Sequence, residues 1–376
     1  MTDTTAIDMH NTLSSEKITA IVEKSTKKLI ANPGNIHMHP AIMLRGAPGV
    51  GKSTIVREVA NRLGIGFIDV RLAEMERVDL SGLPSVEDGV TKWNVPAFWP
   101  RDPKSKGIIL FDEITSAPSD VQVAAYSLIN DRAIPNSDYR LPDGWQIVAA
   151  GNRAIDKAVV KTMSSALANR FMHFELEANS EDWCSWAVQH DIHPSVTGYI
   201  RYRPANLIKM DKQNLEQGWP SPRSWERVSN IISIFEDDEE LLRAAVYGLI
   251  GNSVGLEFIE FHKLNKKFDD VLKMMTDPKA PIVIPERADE KYALTSAVSY
   301  LLWNGKDKKD QAARVDGFYR IALALSADFA TVLAKSAMLG NAKVKAIDAM
   351  KMIISHKSYK EFAKKFGSAF GRAMNK

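Results

Sequence analysis

Cysteine is almost absent: Cys184 is the only one in 376 residues. An internal disulfide framework is therefore excluded, and the chain fits a reducing compartment. Cys184 lies between Trp183 and Trp186, a setting that suits a core residue. Long apolar runs are missing too. No stretch reaches the ~18 residues that mark a membrane-spanning helix. The first residues hold no apolar core suited to a signal peptide. The expectation is a cytoplasmic protein with no membrane partner. Charge of one sign is also scarce. With 49 Lys and Arg against 46 Asp and Glu, the formal net charge of +3 does not by itself imply nucleic acid. Two histidine pairs, His37 with His39 and His190 with His193, have no third ligand at coordination spacing and read as surface histidines. No internal repeat is visible.

What is present is an ordinary globular composition, 45% apolar and 25% charged, in a chain long enough for two or three domains. Within it, Gly46-Ala47-Pro48-Gly49-Val50-Gly51-Lys52-Ser53 is a complete G-x-x-x-x-G-K-[S/T] phosphate-binding loop, followed by Thr54. The apolar run Ile42-Met43-Leu44 precedes it, and Ile55, Val56, Val59, Ala60 and Leu63 follow at helical spacing. Strand, loop and helix in that order give the motif its mechanism. The glycines let backbone N–H groups turn toward phosphate oxygens, and the helix N-terminus adds its positive dipole end. Lys52 can reach the β- and γ-phosphates of ATP, and Ser53 offers a hydroxyl to Mg²⁺. A second segment, Gly107-Ile-Ile-Leu-Phe-Asp-Glu113, reads as a strand buried on both faces and ending in two acids. Asp112 can hold Mg²⁺ as a hard oxygen ligand, and Glu113 can polarise the attacking water.

Three further residues stand on weaker local signals. Asn152 follows the short strand Ile147 to Ala150; its amide can orient the attacking water, or it can be a turn residue. Arg170 precedes an apolar strand; it is a surface arginine or one that reaches a neighbouring subunit's γ-phosphate. Arg223, in Ser221-Pro222-Arg223-Ser224 at a helix start, can contact phosphates of its own subunit.

The order of these motifs resembles that of AAA+ ATPases, and more specifically the MoxR-type family. Phe111-Asp112-Glu113-Ile114, Ala117-Pro118, Val121-Gln122, Asp131-Arg132, Leu141-Pro142, Asn169-Arg170-Phe171 and Asp79-Leu80-Ser81-Gly82 carry the resemblance, over about residues 35 to 250. Ser164 and Ser165 stand where the family usually has an acidic residue. The resemblance implies that Asn152 is the sensor-1 residue, Arg170 the arginine finger and Arg223 the sensor-2 residue. It also implies a homo-oligomeric ring, a hexamer, with a chaperone-like role on a protein partner carrying a von Willebrand factor A domain. The rival reading is a nucleic-acid motor or loader on the same core, against which no DNA-binding motif is visible.

The expected fold is α/β: a P-loop AAA+ core with a parallel sheet flanked by helices, then a helical lid and a helical C-terminal extension. The boundaries are an N-terminal tail and helix over 1–34, the core over 35–178, the lid over 179–250 and the extension over 251–376. Strands are expected near 41–45, 66–70, 107–111, 146–150 and 171–176, and helices over 16–31, 53–63 and 118–130. Pro118 suits the first turn of its helix. Residues 77 to 100 read as a loop or hairpin insertion. In the extension, Phe318, Ile321, Leu325, Phe329 and Leu333 form one packing stripe, and Val344, Ile347, Met350 and Ile354 another. The run Glu236-Asp237-Asp238-Glu239-Glu240 reads as a solvated turn or helix start. Residues 341 to 376 hold nine Lys or Arg against two acids, with Phe362, Phe366 and Phe370 at helical spacing. They read as a helix with one packed and one basic face.

Overall fold

The computed structural model describes residues 11–156, 163–210, 217–264 and 268–374. The polar tail ahead of residue 11 lies outside the described residues, as does the side chain of His37. Backbone contacts divide the chain into two units, one ending at Ala178 and one beginning at Asn179.

The first unit is built on a six-stranded parallel sheet. Its strands are β1 (Thr12–Leu13), β2 (Ala41–Arg45), β3 (Gly66–Arg71), β6 (Gly107–Asp112), β7 (Trp145–Gly151) and β8 (Phe171–Leu176), in the spatial order β1-β8-β2-β7-β6-β3. Successive side chains on a strand point to opposite faces, and here both faces are covered. Ile42, Leu44, Ile108, Leu110 and Val148 pack with Ile18 and Val22 of α1 (Ser15–Ala31) and Val56 and Val59 of α2 (Lys52–Leu63). Met43, Ile109, Phe111 and Ile147 pack with Leu80 of α3 (Arg77–Ser81) and Val121, Ala125 and Leu128 of α4 (Ser119–Asp131). Two-faced burial explains the unbroken apolar runs of β6 and β7. Leu44, fully buried in β2, would cost roughly 2–5 kcal/mol if truncated to alanine.

Each expected core element lies within a residue or so of its expected place. Pro118 is one position earlier than expected: it is the N-cap of α4, and the helix begins at Ser119. The insertion holds α3 and an antiparallel hairpin, β4 (Leu83–Glu87) with β5 (Val90–Asn94), closed by Asp88 and Gly89 at positive φ. Buried Trp99 anchors its end, donating from Nε1 to the Leu80 carbonyl at 3.0 Å.

The second unit is helical: α6 (Ser180–Gln189), α7 (Pro194–Tyr202), α8 (Pro222–Ile234), α9 (Glu239–Ile250), α10 (Asn252–Leu264), α11 (Phe268–Thr276), α12 (Ala288–Leu302), α13 (Lys308–Ala324), α14 (Ala327–Leu339), α15 (Ala346–Ser355) and α16 (Tyr359–Met374). Cys184 is buried, and burial pushes its thiol up to about 11. His190 and His193 end one helix and begin the next, as the C-cap of α6 and the N-cap of α7; His190 is exposed as expected, whereas His193 is not a surface histidine but is packed against His262. The acidic run is a turn that leads into α9, with Asp238 as N-cap. In α16, Phe362 and Phe366 are buried.

Two expected stripes need correction. The first is split: α13 ends at Leu325, the chain turns at Ser326, and α14 carries Phe329 and Leu333. Its residues still share one core. The second holds only at Val344, which lies ahead of α15 and packs partly buried against the core; within α15 it is reversed. Ala349 and Ile353 are the buried residues of α15, while Ile347, Met350 and Ile354 are 65%, 38% and 45% exposed. The four-residue spacing of Ala349 and Ile353 puts them on one side of the helix, and that side joins the core shared with Ala330, Ala334 and Ala337 of α14. Among the described residues no helix is long and apolar enough to cross a membrane.

Candidate nucleotide site

The parallel sheet brings the carboxyl ends of β2, β6 and β7 to one edge, where ligands of open α/β sheets bind. β2 delivers the phosphate loop. Gly49 and Gly51 take φ of 73° and 103°, a left-handed conformation that side chains disfavour. Gly51 is the N-cap of α2 and makes no side-chain cap, so the first-turn amides keep no side-chain acceptor of the usual kind. Such an end attracts anions. Thr54 is exposed in the first turn, and Val50 donates its N–H to the Ala47 carbonyl at 3.3 Å.

Lys52 is only 8% exposed. Its Nζ donates to the carbonyls of Gly46 at 2.8 Å and Ala47 at 3.1 Å, and to Oδ1 of Asn152 at 3.0 Å. The ammonium is thus held over the loop by groups from two strands. Ser53 donates to Oδ2 of Asp112 at 2.5 Å, and Oδ1 of the same carboxylate accepts the Glu113 N–H at 2.9 Å. Asp112 is therefore oriented on both oxygens. Glu113 is exposed just past the end of β6, with φ of 57°, and its carbonyl accepts from Ser116 at 2.8 Å. A non-glycine residue at that φ is uncommon and marks a tightly specified turn.

Asn152 is positioned by residues that motif reading passed over. Its N–H donates to Oγ1 of buried Thr115 at 3.1 Å. Gly151 makes the approach possible: a Cβ there would stand 2.6 Å from Cγ2 and 2.7 Å from Oγ1 of Thr115. Arg153 pairs with both oxygens of Asp156, at 2.7 and 2.8 Å, and with Glu175 of β8 at 2.6 Å. The bonds to Asp156, then those to Glu175, outweigh burial and hold its pKa above the ordinary arginine value. A Gly before the strand-end Asn and a Thr two residues after the Asp-Glu pair were the available signals.

Lys52, Ser53, Asp112, Glu113 and Asn152 are brought together in this way. Arg170 is not hydrogen-bonded to them. It is exposed after the short helix α5 (Ser165–Ala168), with Nη2 3.5 Å from the Tyr126 hydroxyl. Ser164 is the N-cap of that helix and accepts from Leu167 at 3.2 Å. Arg223 belongs to the second unit. It is exposed in the first turn of α8, whose start is fixed by a capping box between Ser221 and Ser224.

Residues 41–171 match the family model of the AAA domain, dynein-related subfamily. That segment is a P-loop nucleotide-binding domain of the AAA+ type, followed in this chain by helices. The chain is 28% identical to midasin of Giardia intestinalis over 168 residues, which is 42% of this chain and 4% of that much longer protein. Among solved structures it is similar to the Thermotoga maritima RuvB Holliday junction branch migration motor, at 16% identity and a TM-score of 0.34, over 77% of this chain and 87% of that one. It is also similar to NtrX from Brucella abortus, at 14% identity and a TM-score of 0.34, over 75% of this chain and 70% of that one.

Proposed function

We propose that the protein is a MoxR-type AAA+ ATPase that binds ATP with Mg²⁺, hydrolyses it in a homo-oligomeric ring and uses the cycle to remodel a protein partner. The observation that carries this reading is the meeting of Lys52, Ser53, Asp112, Glu113 and Asn152 at one sheet edge. Ser53 Oγ and Asp112 Oδ2 converge as hard oxygen donors, the donor chemistry Mg²⁺ takes. Bound there, the ion would neutralise phosphate charge. Loop amides and Lys52 bind the phosphates, with Lys52 exchanging carbonyl partners for phosphate oxygens. Glu113 accepts a proton from water as the water oxygen bonds to the γ-phosphorus and the bond to the bridging oxygen breaks, releasing ADP and phosphate. Asn152 keeps Lys52 in register and has its amide N–H₂ left to orient the water. Exposed Arg170 suits a group supplied to a neighbouring subunit's γ-phosphate, and Arg223 a contact made from the helical lid.

The partner is a folded protein, one with a von Willebrand factor A domain. Glu113→Gln with ATP should retain it better than without nucleotide, because a ligand favouring one state strengthens everything else that prefers that state. Affinity capture with this variant, with and without ATP, is the test. Retention of nucleic acid or replication proteins alone would move the assignment to a motor or loader.

A further inference from the structure

α5 is a single turn of helix, and Arg170 stands two residues beyond its end. So short a helix does not hold itself together, because one turn gains too few hydrogen bonds for the backbone it fixes. Three contacts hold it from outside. Ser164 caps its start, accepting the Leu167 N–H at 3.2 Å. Buried Leu167 packs in the core shared with Phe171. At its other end the Ala168 carbonyl, of the kind a helix terminus leaves without an internal partner, meets Nε2 of His173 at 2.7 Å. A carbonyl can only accept, so Nε2 carries the hydrogen.

His173 comes from β8, opposite Met43 of β2. It shares a strand face with Phe171 and Glu175, since residues two apart point the same way. Phe171 lies in the core, and Glu175 holds Arg153, the neighbour of Asn152. Between them, half-buried and edge-on to the Phe171 ring with centroids 6.1 Å apart, His173 reaches back along the chain. Its bond closes a loop that contains Asn169, Arg170, Phe171 and Met172. The Arg170 N–H donates to the Leu167 carbonyl at 3.1 Å, and the ladder resumes at once with Phe171 opposite Ala41. The backbone of Arg170 is thus pinned on both sides while its side chain stays exposed.

We propose that His173 is the positioning residue for Arg170: its bond to the Ala168 carbonyl aims the guanidinium at the γ-phosphate held by a neighbouring subunit. This rests on Arg170 acting across subunits. A cation that stabilises a transition state must be in place before the reaction, and a misplacement of about 1 Å can cost roughly 10²-fold in rate. A long exposed side chain is aimed no better than the backbone that carries it. His173 itself touches no phosphate, and its effect is felt in the neighbour's site, not in its own.

Mixed assemblies of the full chain test this. His173→Phe keeps a ring beside Phe171 and removes the donor; His173→Gln keeps an N–H donor of similar reach. His173→Phe should bind ATP as the parent does and turn it over roughly 10- to 10²-fold more slowly, and His173→Gln should recover most of that loss. A His173→Phe subunit keeps its phosphate loop, and a Lys52→Ala subunit keeps a well-aimed Arg170. Mixed, they should regain activity as Arg170→Ala does when mixed with Lys52→Ala, which damage to the subunit's own loop would not allow. Added to Arg170→Ala, His173→Phe should change the rate by no more than about twofold, because both act through one group. Should His173→Phe fail to fold, His173→Asn, whose amide ends one bond short of Nε2, goes through the same steps. Parent-like turnover of the His173 variant, a loss that no co-assembled mixture recovers, or a clear further loss on top of Arg170→Ala would overturn the proposal and leave Arg170 in its role. Parent-like turnover of Arg170→Ala would remove the action across subunits, and the role of His173 with it.

Discussion

Gly151→Ala tests how the site is held. The added Cβ would lie 2.6 Å from Cγ2 and 2.7 Å from Oγ1 of Thr115, and 3.0 Å from Cε of Met43. Met43 can yield at its flexible end. Thr115 cannot yield easily, because it is 3% exposed and its Oγ1 accepts the Asn152 N–H at 3.1 Å. Overpacking of this kind costs about 1–3 kcal/mol, and loss of the Thr115 bond adds about 1 kcal/mol. The sum, roughly 2–4 kcal/mol, would lower Tm by on the order of 10 °C in a two-state transition of a domain this size. Displacing Asn152 also disturbs its 3.0 Å contact with Lys52, so turnover should fall about tenfold or more. The diagnostic is Thr115→Ala, which removes both clashing atoms. In that background Gly151→Ala should cost about 1–2 kcal/mol less than in the parent. Urea unfolding of the four proteins, with ATP turnover of each, measures this. Additivity within ~0.5 kcal/mol would refute the steric account and the role given to Thr115.

Lys52→Ala should abolish ATP binding, whereas Glu113→Gln should bind ATP with Mg²⁺ and turn it over far more slowly; nucleotide affinity and turnover of both check this, and near-normal hydrolysis by the second removes Glu113 from its role. Arg170→Ala should bind ATP normally yet turn over roughly 10³-fold more slowly. Mixing it with Lys52→Ala should recover part of the activity, and mixed assemblies that stay inactive at every ratio would disprove action across subunits. His193 titrates at about 3, chiefly through burial and secondly through His262, whose ring centroid is 5.6 Å away. The unfolded chain, protonating near 6.5, binds that proton first. Stability should therefore decline as pH falls below about 6.5 and go on declining toward about 3, by about 2 kcal/mol between pH 7.5 and 5. His193→Asn keeps an acceptor for the Ser195 N–H and should flatten that dependence in urea unfolding; an unchanged slope rules His193 out as its source.

Local signals carried the first unit well. The phosphate loop, the two-faced strands and the Asp-Glu strand end each depend on a few consecutive residues. What escaped depends on distance along the chain. β1 is two residues long and exists because the edge of β8 offers partners, Glu175 donating to the Asn11 carbonyl at 3.0 Å and Glu177 to that of Leu13 at 3.2 Å. The Lys52–Asn152 contact joins positions 100 residues apart, so neither motif announces it. Thr115 matters only because Gly151 lets the two strand ends close on each other. In α15, spacing shows that an apolar face exists but not which face is covered. The break at Ser326 was missed because apolar residues continue on both sides of it.

β8 ties two distant parts of the protein to one register. It pairs with β2 from Ala41 opposite Phe171 to Arg45 opposite Glu175. Arg170 lies immediately before that ladder, the phosphate loop immediately after its other strand, and the chain passes into the second unit after Ala178. A single-residue insertion within β8 must displace one of its ends by about 3.3 Å and turn the shifted side chains to the opposite face. Either Arg170 or the connection to the helical unit would lose its setting relative to the loop. Length variation in descendants of this chain should therefore collect in the 83–94 hairpin and spare this strand.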